Sequence, residues 1–377
     1  MLTEMLRIRK VWIMNKGSLC QRLGLMIILL CLPIAATANL TNPSKPVIIR
    51  DHAFRNLGMR DRQRPEKGAS RIMLDENQRI RNLNLPEGIV DIVIDSDAYN
   101  EIDDQFAISY AIYAPEKIRV RALYAAPFTN ERSSGAADGM EKSYREMKKL
   151  LSLAGCSNQI PVFKGSDRYL PDEKTPVISE AAKSLVRLSR FYSVEKPLYV
   201  VSIGAITNIA SALLMDPDIA DRIVVVWLGG NATFWPDNEE FNCKQDVAAA
   251  RVVFGSGVPL VQLPCMGVVS SFLTTGPELE YWLKGKNALC DYLVDNTVAA
   301  AEEYAKGKVW SRVIWDVTAV GWLLNDHNRL MLDHLVPTPV PEYNHHYSPL
   351  PSKTLCRMVY HINRDALFAD LVAHLTQ

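Results

Sequence analysis

Five carboxylates fall within ten residues of this chain, at Asp95, Asp97, Glu101, Asp103 and Asp104. Acids packed that densely repel one another unless a cation or shared protons neutralise them. A hard divalent ion with oxygen ligands is the simplest partner, and calcium accepts carboxylates most flexibly. Helix capping offers a plainer account, with Asp103 as the N-cap and Asp104 in the first turn. Capping explains one or two of these acids, not four.

The flanking sequence says what must hold them. Val90 to Ile94 is a β-branched run broken only by Asp91, the pattern of a strand buried on both faces. From Asp103 the pattern turns helical, with Phe106, Ile108, Ala111 and Ile112 recurring at short spacing. The acids therefore sit where a strand ends and a helix begins, the crevice in which open α/β sheets bind ligands. Further strands are expected at 118–125, 160–163, 198–202, 222–228, 258–263 and 354–361. Helices are expected at 103–114, 138–154, 177–191, 206–215, 245–254, 287–305, 313–325 and 363–374. This alternation implies an α/β fold, a single-domain open and mostly parallel sheet with helices on both faces. Three more strand ends carry polar groups: Gly204 to Asn208, Gly229 to Asn242, and Asp316 at the head of an apolar helix. Each has a local explanation as a cap or turn, but all converge on one edge of one sheet.

The chain has 377 residues, 48% of them hydrophobic and 22% charged, enough for a sizeable core. Lys plus Arg equals Asp plus Glu at 42 each, which leaves no electrostatic case for a nucleic-acid partner. Residues 1–38 read as a signal peptide: Lys16 and Arg22 precede the apolar run Leu23 to Leu32, and Ala36-Thr37-Ala38 supplies a cleavage site. The run is too short to span a bilayer. The expectation is an exported protein, periplasmic or secreted, cleaved after Ala38 and without a stable membrane anchor. Residues 39–88 read as a polar N-terminal extension, with a short helix near 73–81, and 89–377 as a single domain without an internal linker. Five cysteines remain after cleavage, an odd number without metal-ligand spacing, and are expected as scattered buried thiols.

Four segments in order resemble the inosine-uridine-type nucleoside hydrolases. Asp95-Ser96-Asp97 and Asp103-Asp104 resemble the family's D-x-D-P-G-x-D-D signature. Pro161 to Ser166 is similar to its P-V-x-x-G-(AS) strand, and Gly204 to Ala210 to its G-x-L-T-N-(IL)-A turn. Glu240-Phe241-Asn242 with Asp246 and Ala249-Ala250 is similar to its E-F-N-x-x-x-D-x-x-A-A segment. The resemblance implies a calcium ion held by Asp97, Asp104, Asp316 and the backbone oxygen of Thr207, with Asp97 also taking a proton from the attacking water. It implies sugar contacts from Asp103 and Asn242, helped by Glu240 and Asn231. The substrate would be a small-molecule ribonucleoside, split into ribose and free base, and a homo-oligomer of the chain is expected.

The departures bear on the substrate. The signature carries two extra residues, and Ala98-Tyr99 stands where the family has proline and glycine. Phe128-Thr129-Asn130 replaces a glycine-asparagine pair, which makes Asn130 the expected sugar contact there. The histidine that often precedes the last aspartate is Trp315. By the resemblance that histidine helps protonate a departing pyrimidine, so purines or activated leaving groups are the expected substrates, with Tyr99, Phe128, Trp227, Trp235 or Trp315 available to stack on a base. Other readings remain open: an N-glycosidase for another ribosyl compound, a non-catalytic calcium- or ribose-binding module, and a haloacid-dehalogenase-like phosphatase.

Overall fold

The computed structural model describes residues 75–377, so the expected signal peptide and most of the polar extension lie outside the described residues. Among the described residues there are ten strands, β1 Val90–Ser96, β2 Ile118–Ala125, β3 Val162–Lys164, β4 Leu198–Ser202 and β5 Ile223–Leu228 in the first half. The rest are β6 Leu260–Leu263, β7 Leu273–Thr274, β8 Arg312–Val313, β9 Met331–Pro337 and β10 Leu355–Ile362. The helices run α1 Glu76–Asn82, α2 Asp104–Ile112, α3 Ala136–Leu153, α4 Glu180–Ser189, α5 Thr207–Met215 and α6 Phe241–Gln245. They continue with α7 Val247–Gly255, α8 Gly276–Leu283, α9 Ala288–Ala305, α10 Val317–Leu323 and α11 Arg364–Leu375.

Eight strands form one sheet in the order β3-β2-β1-β4-β5-β6-β10-β9, parallel throughout except for the antiparallel edge β10-β9. Alternate residues of each strand feed separate cores on the two faces. Ile92, Ile94, Val201 and Val226 pack beneath α2, α10 and α11, while Val93, Val200, Val225 and Trp227 pack beneath α4, α5 and α7. Burial on both faces is why these strands read as continuous apolar runs. The strand order reverses at β1 and β4: β1 continues leftward to β2 and rightward to β4. That is the topological switch point, where the carboxyl ends of two parallel strands splay and leave a crevice.

Some elements differ from expectation. Strand β9 falls where no element is expected, because it is a sheet edge, paired on one side only and largely exposed, so its sequence lacks a buried-strand pattern. The helix expected over 313–325 begins only at Val317, since Arg312-Val313 pairs with β7 and the Ile314 N–H donates to the Phe272 carbonyl at 3.2 Å. The helix expected over 245–254 is broken at Asp246, whose carboxylate caps α7 through the Ala249 N–H at 2.9 Å. Helix α1, inside the stretch expected as polar extension, is packed: Leu83 at its C-cap is wholly buried, and Arg79 donates to the Leu355 carbonyl.

Candidate active site

Strand β1 delivers Ser96 and then Asp97 to the switch point, and β4 leads into Gly204 beside them. A Cβ on Gly204 would lie 2.9 Å from the Asp97 Oδ1, so glycine is required for the β4 turn to close against that carboxylate. Across the crevice stand Asp103, Asp104 and Asp316, all buried, each offering an oxygen within 4.8 Å of the others. Asp103 and Asp316 precede α2 and α10, yet neither side chain makes a capping hydrogen bond. Capping therefore does not account for them. Ser96 donates its hydroxyl to Asp104 Oδ1 at 2.6 Å and fixes that carboxylate against the strand end.

The electrostatics of this group call for a cation. Burial, and after it the neighbouring carboxylates Asp103 or Asp104, pushes Asp97, Asp104 and Asp316 well above the usual carboxylate range. Burial and Glu101 raise Asp103 to about 7. The Asp97 Oδ2 is buried without any hydrogen-bond partner. A water-poor, all-oxygen set of like charges is the donor chemistry that a hard divalent ion satisfies, and it fits calcium. Around the cluster lies a cavity of about 310 Å³, within the range of small-molecule sites.

A family model described as inosine-uridine preferring nucleoside hydrolase matches residues 92–363. The chain belongs to that family. Among curated proteins, the pyrimidine-specific ribonucleoside hydrolase RihA of Salmonella enteritidis PT4 is 26% identical over 259 residues, covering 62% of this chain and 79% of the relative. RihA of Escherichia coli O1:K1 is 29% identical over 182 residues, 42% of this chain and 55% of the relative. A plant nucleoside hydrolase, PpNRh1, superposes with a TM-score of 0.60 at 18% identity, covering 76% of this chain and 99% of its own. The purine-preferring ribonucleoside hydrolase of Gardnerella vaginalis gives 0.60 at 19% identity, with 76% and 98% covered. Family, fold and carboxylate cluster together make this nucleoside hydrolase family member a calcium-dependent glycosidase.

The structure gathers most of the expected site residues. Asp97, Asp103, Asp104, Asn231, Glu240, Asn242 and Asp316 all line the cavity. Their tasks divide unevenly. The Asn242 amide donates to the Leu228 carbonyl at 3.0 Å and the Ile203 carbonyl at 3.4 Å, which aims its remaining oxygen at the cavity. Glu240 accepts from the Gly230, Asn242 and Cys243 N–H groups, capping α6 and tying it to the end of β5. The Asn231 side chain spans the Asp237 carbonyl and the Met266 N–H, and so braces the loop more than it faces a ligand.

Two expected residues lie outside the lining. Asn130 does not line the cavity; it donates at 2.6 Å to Asn100, which does. Thr207 is wholly buried at the start of α5, outside the lining, its hydroxyl donating to Asp246 Oδ2 at 2.7 Å. Asp103, a sugar contact by the resemblance, is also one of the three carboxylates close enough to share a metal ion. Asp95 also faces away from the cavity, receiving the Asn208 amide at 2.8 Å; burial raises it to about 7.

Sequence reasoning gave no role to Asn100, Glu101, Asp237 and Glu239, all of which line the cavity. Glu101 was visible as one of the clustered acids, but its partner Arg312, at 2.5 Å, is remote in sequence. Of the aromatics, Trp235 and Trp315 line the cavity, joined by Phe241, whereas Phe128 and Trp227 are core residues. The loop that carries His345 is closed by a Pro341–Tyr347 bridge and held to the β5–α6 segment by a bond from the Asn238 N–H to the His345 carbonyl at 2.6 Å. No histidine lines the cavity among the described residues.

Proposed function

We propose that this protein hydrolyses the N-glycosidic bond of ribonucleosides and favours purine or activated leaving groups, acting as an exported enzyme. The observation that carries the reading is the Asp103–Asp104–Asp316 cluster set beside the partnerless Asp97 oxygen at the sheet's switch point. Asp103, Asp104 and Asp316 would hold calcium, with Asp97 and the Thr207 carbonyl as the further ligands that the family resemblance implies. Bound there, the ion would polarise the attacking water and engage sugar hydroxyls.

The chain's own residues supply the rest. Asp97 accepts the proton of the water that attacks the anomeric carbon. Asn242 accepts a hydrogen bond from a sugar hydroxyl through its free oxygen. The flanking carboxylates stabilise the oxocarbenium-like charge that develops as the bond to the base breaks. Trp235, Phe241 and Trp315 offer apolar faces to the base. Relatives carry both purine and pyrimidine preferences in their names, so the preference rests instead on Trp315 and the absence of a histidine from the lining.

Export rests on the apolar run at 23–32 and the small-residue site ending at Ala38. Among the described residues no helix is long and apolar enough to cross a membrane. A screen for ribose release over purine, pyrimidine and activated ribosides, with and without a chelator, tests the activity. Release of ribose from none of them by calcium-loaded protein would overturn it.

A further inference from the structure

We infer that this cavity selects ribosides whose leaving base carries a fixed positive charge, such as N-ribosylpyridinium or 7-alkylpurinium rings, and turns away anionic ones. The inference rests on the ribosidase reading above and names the substrate class of that same site. Besides the four aspartates of the cluster region, Glu101, Asp237, Glu239 and Glu240 line the cavity, and among the described residues no Lys, Arg or His does. One divalent ion offsets two of these eight charges. Arg312 offsets another from behind Glu101, and Glu240 is held by backbone N–H groups. Two charges of the aspartate cluster remain, with Asp237 and Glu239 on the segment between β5 and α6, where Glu239 is exposed. A concave site lined by one sign of charge concentrates ligands of the opposite sign.

The placement of Glu101 is built into the fold. It sits in the stretch between Asp97 and Asp103 that the two extra residues lengthen, where the Ala98 carbonyl receives the Gln105 amide at 2.8 Å and the Asn100 and Glu101 carbonyls receive Arg132 at 3.3 and 3.4 Å. Trp235, Phe241 and Trp315 line the same space, and aromatic rings attract cations over their faces. The partnerless Asp97 oxygen marks the end of the cavity where the sugar must react.

A cationic base also removes the need for an acid. Water adds hydroxide to the anomeric carbon, and its proton passes to Asp97 and on to solvent. The electron pair of the carbon–nitrogen bond returns to the ring nitrogen, whose positive charge it cancels. The base departs neutral, and one proton is released per turnover. A neutral nucleoside must instead gain a proton on its base, which leaves no net release.

The test compares kcat/KM at low salt for calcium-loaded enzyme on two matched pairs. Nicotinamide riboside should exceed nicotinate riboside, which carries a carboxylate in place of the carboxamide on the same ring, by about tenfold or more. 7-Methylguanosine should exceed guanosine by about tenfold beyond the ratio of their uncatalysed rates. The Glu101→Gln, Glu239→Gln double variant and high salt should each shrink both preferences. Equal rates within both pairs after normalisation, or preferences unmoved by salt and variant alike, would overturn the inference while leaving ribosidase activity intact. Turnover of neither cationic nor neutral ribosides would overturn the underlying reading itself.

Discussion

Ser96 and Asp104 are joined by a 2.6 Å hydrogen bond, so the last residue of β1 fixes the carboxylate that opens α2. Asp104 lies among like charges and is buried; the hydroxyl is one of the few contacts that favour its ionised form. Partners that orient a metal-bound carboxylate commonly set metal affinity as strongly as a ligand does. Ser96→Ala should therefore weaken calcium binding by roughly 10- to 100-fold. Titration calorimetry on the apo protein measures it; unchanged affinity would mean that the hydroxyl only fills space.

Chelation should make stability depend on pH. Asp103 has a folded-state value of about 7, above its unfolded value, and Asp97, Asp104 and Asp316 are raised further in the same direction. Between the unfolded and folded values the native state holds more protons, so stability falls as pH rises through that window. Metal-free protein should lose on the order of a few kcal/mol between about pH 4 and pH 7. Calcium should abolish most of that loss. Asp95, also raised to about 7 but outside the cluster, contributes the same slope with or without the ion. Thermal melts across pH, chelated against calcium-loaded, isolate the cluster; parallel curves would count against a metal there.

Asp97→Asn should reduce turnover by on the order of a hundred- to ten-thousandfold, the range for a lost general base. The amide keeps an oxygen for the ion and the sugar, so ligand affinity should change far less. Steady-state kinetics beside equilibrium binding separate the two. Near wild-type turnover in the variant would remove Asp97 from the role of base.

If the apolar run at 23–32 is a leader, the mature chain begins near Asn39 and fractionates with exported material. N-terminal sequencing that finds the run retained in a membrane fraction would favour an anchor.

The sheet and its carboxylate edge were legible because both signals are local. Val90 to Ile94 can be buried on both faces only as a central parallel strand, and the acids that follow it share one stretch of chain. What stayed hidden depends on distant pairing. Strand β9 exists because β10 offers it an edge, and β8 because β7 does, neither partner being visible from the strand's own residues. Glu101 pairs with Arg312 and Asn130 gives its amide to Asn100, neither partner being visible from the local sequence. The capping account of Asp103 and Asp316 was equally open in the sequence; only the missing cap bonds exclude it.

Trp315 carries the last prediction. It lines the cavity directly before Asp316, and no histidine joins it there among the described residues. The Cys265 thiol, also in the lining, is held well above its usual range by burial and by Glu240, so it is a poor proton donor. Without an acid, a departing base must be stable as an anion, be protonated by solvent, or be activated already. The expected order of rates is p-nitrophenyl riboside first, then purine ribosides, then uridine far behind. A missing general acid costs about a hundredfold or more on poor leaving groups and almost nothing on good ones. Trp315→His places an imidazole at that position and should raise uridine hydrolysis, with little gain on p-nitrophenyl riboside. Wild-type enzyme that splits uridine as fast as inosine must have an acid after all, and the loop at His345 and His346 is then the first place to mutate.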